Sequence, residues 1–412
     1  MAKFLREYYY CQIEGFLRSD LIKVIKGIRR CGKSSFLESV MDKLILNGVN
    51  KKDIIYLPLD KRGYKNIKTP EQLERAIDER VTDGDFKYLF IDEIQNVDGF
   101  ETVINAFREE GNFSIFITGS NSYLLSGELV TKLTGRYVEI EMFPLNFREF
   151  LEMKKYYGKQ VKDDLSVEFT EYLQYGGFPE TLKFDKSSDK ETYIRSVITQ
   201  IMDKDVRRHQ RIHNHLVFEQ VMRYIISNYG STTSITNLVQ YMKHTENISV
   251  KPETLFRYLQ VLEKAQIIYC CPRFDIKSKK SLRGEQKYYL ADLGIYMAYN
   301  TDTRINYGQA LENVLFNYLT SKGYQLSVGR IGKLECDFIT RKNQDYHYIQ
   351  VSQTIADRNT EEREYGVFRH IRDNYPKYLF TMDTLLQHRD GVRHENIYKF
   401  IAEDQDLYTM SN

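Results

Sequence analysis

Four short apolar runs punctuate the first 120 residues: 22–26 (IKVIK), 54–59 (IIYLPL), 87–93 (KYLFIDE) and 114–120 (SIFITGS). Between them the apolar positions change period. In 34–48, Phe36, Leu37, Val40, Met41, Leu44 and Ile45 recur at spacings of three and four, which predicts a helix. Residues 70–81 and 103–111 also read as helices. Strands that are apolar throughout, alternating with helices, predict a parallel sheet covered on both faces. Near residue 145 the pattern turns mainly helical, with helices expected over 145–156, 167–175, 188–203, 215–229 and 234–243. A helix, a strand, a Lys/Arg-rich turn and a second strand follow over 249–294. The last stretch reads as a helix (308–322), strands 324–329, 333–340 and 345–351, a helix (361–374) and a strand (377–381).

At about 150 residues per domain, 412 residues make roughly two to three domains. The changes of pattern place the divisions at 1–145, 146–300 and 301–412. Lys and Arg number 59 against 57 Asp and Glu, a formal charge of +2, so any nucleic-acid surface has to be a local patch. Five cysteines, an odd number without CxxC spacing, argue against a disulfide framework or a zinc ribbon and for a reducing compartment. No run of 18 apolar residues occurs, so no membrane partner is expected, and the protein is expected to be soluble and cytoplasmic.

The candidate chemistry begins at Gly27-Ile28-Arg29-Arg30-Cys31-Gly32-Lys33-Ser34, which fits G-x-x-x-x-G-K-[ST] between an expected strand and an expected helix. Such a loop turns backbone N–H groups toward phosphate oxygens and sends its Lys to the β- and γ-phosphates. Its Ser hydroxyl ligates Mg²⁺. Gly27, Arg30, Cys31, Gly32, Lys33, Ser34 and Ser35 are therefore the expected nucleotide contacts, with ATP and Mg²⁺ as ligands. The run Tyr88-Leu89-Phe90-Ile91 ends in Asp92-Glu93. Asp92 is expected to hold Mg²⁺ with Ser34, and Glu93 to polarise the attacking water. At the tip of the next strand, Ser120 or Asn121 has two readings, a sensor beside the γ-phosphate or a capping residue. Arg136 likewise reads as an arginine finger for a neighbour's site or as a surface residue in a turn. Cys31 reads as an oxidisable thiol in the loop or as a buried, inert one. Gly176-Gly177-Phe178-Pro179 reads as a rigid structural turn.

The segments GIRRCGKSS, YLFIDEIQNV, FITGSNSYLLS, LTGRYVEIEMFPLNFREF, YLQYGGFPE and KYYLADLGI resemble the AAA superfamily of P-loop ATPases. The nearer resemblance is to a prokaryotic group of ATP-binding proteins in which an AAA module precedes a C-terminal domain of unknown function. It covers residues 22 to about 381 and implies ATP-driven conformational work in a homo-oligomeric ring, a hexamer being favoured, with Arg136 offered to the adjacent subunit. The fold class expected is α/β: a P-loop parallel-sheet ATPase core, a mainly helical winged-helix domain, and an α/β restriction-nuclease-like domain. The element order over 215–294 is itself that of a winged helix. Lys277, Lys279, Lys280 and Arg283 in its wing suit phosphate contact with DNA, while such modules also bind proteins. The tail resembles PD-(D/E)XK nucleases, aligning Glu312, Asp337 and Gln350 with the metal-binding positions. The usual Lys is replaced by Ser352, so a degenerate domain is favoured over an active nuclease. Three alternatives stay open: a DNA-handling ATPase/nuclease, a slow nucleotide-gated scaffold, and a protein remodeller.

Overall fold

Six consecutive buried residues in Lys87–Asp92 and again in Phe113–Thr118 have no polar face to offer water, and such strands are stable only inside a sheet covered on both sides. They are β3 and β4 of a five-stranded sheet that also contains β1 (Ile22–Gly27), β2 (Ile54–Pro58) and β5 (Tyr137–Met142). The order is β2-β3-β4-β1-β5 and every pair is parallel. The computed structural model describes residues 3–82, 86–119, 133, 135–206, 212–276, 278, 280–300 and 304–408, with only the backbone for 280–283. Two compact units emerge. The first runs to Met142 and takes the chain back at Ile201; the second begins at Phe143 and holds most of the remainder.

In the first unit, α1 (Glu7–Glu14), α2 (Lys33–Leu46), α3 (Pro70–Asp78) and α4 (Phe100–Glu109) accompany the sheet. The start of α3 is written locally: Thr69 and Gln72 form a reciprocal capping box and Pro70 takes the first helical turn. Leu73, Ile77, Phe100, Val103, Ile104 and Phe107 from α3 and α4 join Leu89, Ile91, Ile115 and Ile117 in one core. Phe90 and Phe116 stack at 4.5 Å, and the Lys23 ammonium sits 4.7 Å from the Phe116 ring.

Lys23 is fully buried and donates to the Ser114 hydroxyl at 2.9 Å. Burial pulls its ammonium down from 10.5 to about 7, against the small upward effect of Asp20. Between these two values the unfolded chain holds a proton that the folded chain has shed, so stability rises with pH across that window. Lys23→Met is expected to remove this rise and to be the more stable protein at pH 7. Urea unfolding at pH 7 and pH 10 measures both effects.

The second unit contains α5 (Phe147–Tyr156), α6 (Leu165–Tyr175), α7 (Ser187–Ile201), α8 (His215–Ser227), α9 (Ile235–His244), α10 (Pro252–Lys264), α11 (Leu293–Tyr299), α12 (Tyr307–Ser321), α13 (Arg358–Phe368) and α14 (Ile397–Ala402). Its nine-stranded sheet contains β6 (Thr232–Ser234), β7 (Ile268–Asp275), β8 (Lys280–Leu290), β9 (Gln325–Ile331), β10 (Leu334–Lys342), β11 (Asp345–Val351), β12 (Lys377–Thr381), β13 (His388–Arg389) and β14 (Val392–Asn396). The strand order is β13-β14-β12-β11-β10-β9-β7-β8-β6. The antiparallel pairs β6·β8 and β7·β8 close a small sheet beside α8, α9 and α10. Arg273–Asp275 of β7 then pair in parallel with Val328–Arg330 of β9, so one sheet crosses the expected division at 300/301.

Several elements depart from the periodicity. The helix expected at 361–374 starts earlier, at Arg358, behind the Asp357 cap, and ends at Phe368. The strand expected to run to 294 stops at Leu290, because Asp292 caps α11. α1, β5, α11 and the β13–β14–α14 end were not anticipated.

The Gly176-Gly177 turn after α6 is fixed by steric demand. Gly176 has φ +72°, and a Cβ there would meet Asp292 Oδ1 at 1.7 Å. A Cβ on Gly177 would meet the Leu145 carbonyl oxygen at 2.1 Å. The Gly177 N–H donates to Asp292 Oδ2 at 2.6 Å, and the Gly177 carbonyl accepts from the Leu145 N–H at 2.8 Å.

Candidate active site

The site lies at the C-terminal ends of β1, β3 and β4. β1 delivers the loop 27–34 and ends at Gly27, where a Cβ would meet the Met142 carbonyl oxygen of β5 at 2.3 Å and Cys31 Sγ at 2.9 Å. Only glycine allows that approach. Arg30 (φ +68°) and Gly32 (φ +106°) take the left-handed conformation that curls successive N–H groups inward. Gly32 is also the N-cap of α2, and the first turn of that helix carries no acid. Its N-terminal N–H groups and the positive end of its dipole therefore favour an anion. Lys33 is buried and folds back, its ammonium donating to the carbonyls of Gly27 at 2.7 Å and Ile28 at 3.3 Å. Ser34 is half-buried, Ser35 exposed and Cys31 fully buried.

Asp92 is buried at the end of β3. Burial pushes its carboxyl up, while the Thr118 and Ser34 hydroxyls donate to it and favour the carboxylate. A desolvated carboxylate beside a serine hydroxyl on an anion-binding loop fits Mg²⁺, which takes one or two protein oxygens and completes its shell with phosphate and water. Thr118 is the pivot: its hydroxyl donates to Asp92 Oδ1 and accepts the Glu93 N–H at 3.1 Å. It reaches both acids because β4 lies between β1 and β3. Glu93 adopts φ +58°, a conformation costing of order 1–3 kcal/mol for a non-glycine residue and concentrated at functional sites. Its carboxylate accepts from the Gln95 amide. Sequence patterns alone missed Thr118 and Gln95; the polar end of an apolar strand was the only signal for the first.

Ser120 and Asn121 lie outside the described residues. Arg136 stands at the N-terminal end of β5, where its carbonyl accepts the Ile22 N–H at 2.9 Å. Five residues of β1 separate that point from Gly27, about 16 Å at the ordinary rise of a strand. Its guanidinium donates to Asn105 of α4 at 2.8 Å, at the end of the sheet remote from its own phosphate loop.

In the second unit, Glu312, Glu335, Asp337, Gln350, Ser352 and Glu364 share a cavity of about 530 Å³. The buried Lys287 of β8 donates to Glu312 at 2.9 Å and pairs with Glu335 at 3.0 Å. Burial alone would lower the Lys287 ammonium, but Glu312, Asp337 and Glu335 outweigh it and hold it above its usual value. Burial, then the Glu312 charge, push the Asp337 carboxyl well up. The Gln350 amide is used twice, accepting from the Asp337 N–H at 2.7 Å and donating to Glu364 at 2.8 Å. Among the described residues, no group of three or more His, Cys, Asp or Glu side chains is arranged to hold a metal ion. Lys277 and Lys279 lie outside the described residues, and Lys280 and Arg283 are described by their backbone in β8 alone. Among the described residues, no helix is long and apolar enough to cross a membrane.

A family model described as "AAA domain" matches residues 19–151, and one for a domain of unknown function matches 166–305. An uncharacterized protein of Haemophilus influenzae is 35% identical over 382 residues, covering 92% of this chain and 94% of its own. The chain belongs to that protein's family. An uncharacterized protein of Methanocaldococcus jannaschii is 30% identical over 370 residues, covering 88% of this chain and 81% of its own. Among solved structures, the Walker-type ATPase PABY2304 of Pyrococcus abyssi aligns with a TM-score of 0.51 at 16% identity, over 71% of this chain and 95% of that one. The last likeness concerns fold. The parallel sheet, its loop and the match over residues 19–151 give the first unit the fold of an AAA-type P-loop ATPase core.

Proposed function

We propose that this AAA-family chain binds and hydrolyses ATP at the loop 27–34. The carrying observation is the convergence of Lys33, Ser34, Asp92, Thr118 and Glu93 at one end of the parallel sheet. Lys33 leaves the Gly27 and Ile28 carbonyls for the β- and γ-phosphates, and the loop N–H groups with the start of α2 hold the remaining oxygens. Ser34 and Asp92 would hold Mg²⁺, which when bound neutralises charge developing on the transferred phosphoryl group. Glu93, held by Gln95, orients and deprotonates the attacking water.

Arg136 then serves a neighbour's phosphates in a homo-oligomeric ring; its place at the far end of β5 from its own loop supports that role. The small sheet with α8, α9 and α10 is a winged helix, supported by the pairing of β6 and β7 on either side of β8. The tail is a degenerate nuclease-like domain; the ion pairs of Lys287 with Glu312 and Glu335 and the Ser352 in place of the usual Lys support that reading.

Equilibrium titration with a fluorescent ATP analogue, read by sedimentation as well as fluorescence, tests the reading. Saturable binding by the wild type, lost in Lys33→Ala, is expected, with assembly promoted by nucleotide. Equal binding by both proteins contradicts it.

A further inference from the structure

The chain leaves the first unit after Met142, builds α5, α6 and most of α7 in the second, then rejoins the first at Ile201 before resuming in the second. The returning segment is not an ordinary continuation of α7. Met202–Val206 widen into one π-helical turn, a deviation often found at functional sites. That turn buries Asp205 and Val206. Asp205 faces the phosphate loop: Arg29 donates its Nε to Asp205 Oδ2 at 3.0 Å and a terminal nitrogen to Oδ1 at 2.8 Å. Both side chains are largely shielded from water, at 16% and 8% exposure, where a two-pronged pair is strong and directional.

Arg29 directly follows Gly27 and Ile28, whose carbonyls accept from the Lys33 ammonium. A phosphate that draws Lys33 away frees those carbonyls and changes the support of the backbone bearing Arg29. The Arg29 charge also feels Glu93 and Asp60, so the same guanidinium senses the acidic side of the site. Asp205 itself is too far along the chain to have been assigned a role from the motif, being 176 residues from Arg29.

We propose that Asp205 is a positioning residue of the phosphate loop: its ion pair with Arg29 couples nucleotide binding at 27–34 to the docking of the returning segment Met202–Val206. This rests on the ATP-binding reading above. Coupling of this kind is reciprocal, so weakening the segment's hold weakens nucleotide binding by the factor through which nucleotide strengthens that hold.

Hydrogen exchange on the full chain, with and without Mg²⁺ and the analogue AMPPCP, tests it at the amides of 201–206. In the wild type, nucleotide is expected to change exchange there by roughly fivefold or more, the lower end of ordinary coupling. Asp205→Asn is expected to bind AMPPCP more weakly by a similar factor and to lose the response at 201–206. Asp205→Glu, which keeps the carboxylate, restores part of the response and serves if the Asn variant does not fold. Binding with unchanged exchange in the wild type, or an undiminished response in Asp205→Asn, overturns the coupling alone. A wild-type chain that binds no nucleotide overturns the ATP-binding reading and the coupling together.

Discussion

Glu93→Gln is expected to keep ATP bound while turnover falls about 10²–10⁴-fold, the usual contribution of a positioned general base. The amide is nearly the same size as the carboxylate and preserves the packing around it. It cannot take a proton from water, and it meets the Gln95 amide, which now donates to Glu93, with a changed hydrogen-bond set. Asp92, Ser34 and Lys33 are untouched, so affinity for nucleotide is expected to stay within a few-fold. Phosphate release measured beside filter-bound ATP separates the two quantities. A variant with wild-type turnover removes Glu93 from the chemistry. Thr118→Val offers no comparable separation, since it strips a hydroxyl from Asp92 and an acceptor from the Glu93 N–H at once.

Gly177→Ala is expected to destabilise the second unit strongly. Its Cβ would lie 2.1 Å from the Leu145 carbonyl oxygen and 3.0 Å from the Leu145 backbone carbon and nitrogen, so backbone has to move. The movement strains two hydrogen bonds together, Leu145 N–H to Gly177 and Gly177 N–H to Asp292. Overpacking of this kind costs about 1–3 kcal/mol, and the strained bonds add to it. A lowered urea midpoint with an unchanged slope is the expected signature. Asp292 adds a pH signature. Burial raises its carboxyl from 3.8 to about 7, opposed by the Gly177 and Gly294 N–H groups. Between those values the folded chain holds the extra proton, so its stability falls as pH rises through the window. Asp292→Asn is expected to abolish that slope and to lose stability, because the amide NH₂ would have to face the Gly177 or the Gly294 N–H.

What the sequence made legible was local. The phosphate loop and the Asp92-Glu93 pair are contiguous, and β3 and β4 are apolar throughout because they lie inside the sheet. β5 was invisible for the opposite reason: it is an edge strand, Tyr137, Val138 and Glu141 are only half-buried and Glu139 is exposed, so no apolar run marks it. Thr118 owes its role to strand order, which places β4 between the loop and the acids. Asp205 meets Arg29 only because the chain returns to the first unit at Ile201. No local pattern marks Lys287, the first residue of an expected strand. Its burial follows from the β7·β9 pairing, which carries the β7–β8 hairpin into the tail's sheet and brings Lys287 against Glu312 and Glu335.

The most direct measurement of the central claim is phosphate release from ATP by the full chain, with Mg²⁺ and with the metal chelated, beside Lys33→Ala. The predicted result is Mg²⁺-dependent release by the wild type and none above background in Lys33→Ala or in chelator. Release that is equal in the wild type and Lys33→Ala, or no release from a wild-type preparation that binds ATP and assembles, would contradict an ATPase acting through this loop.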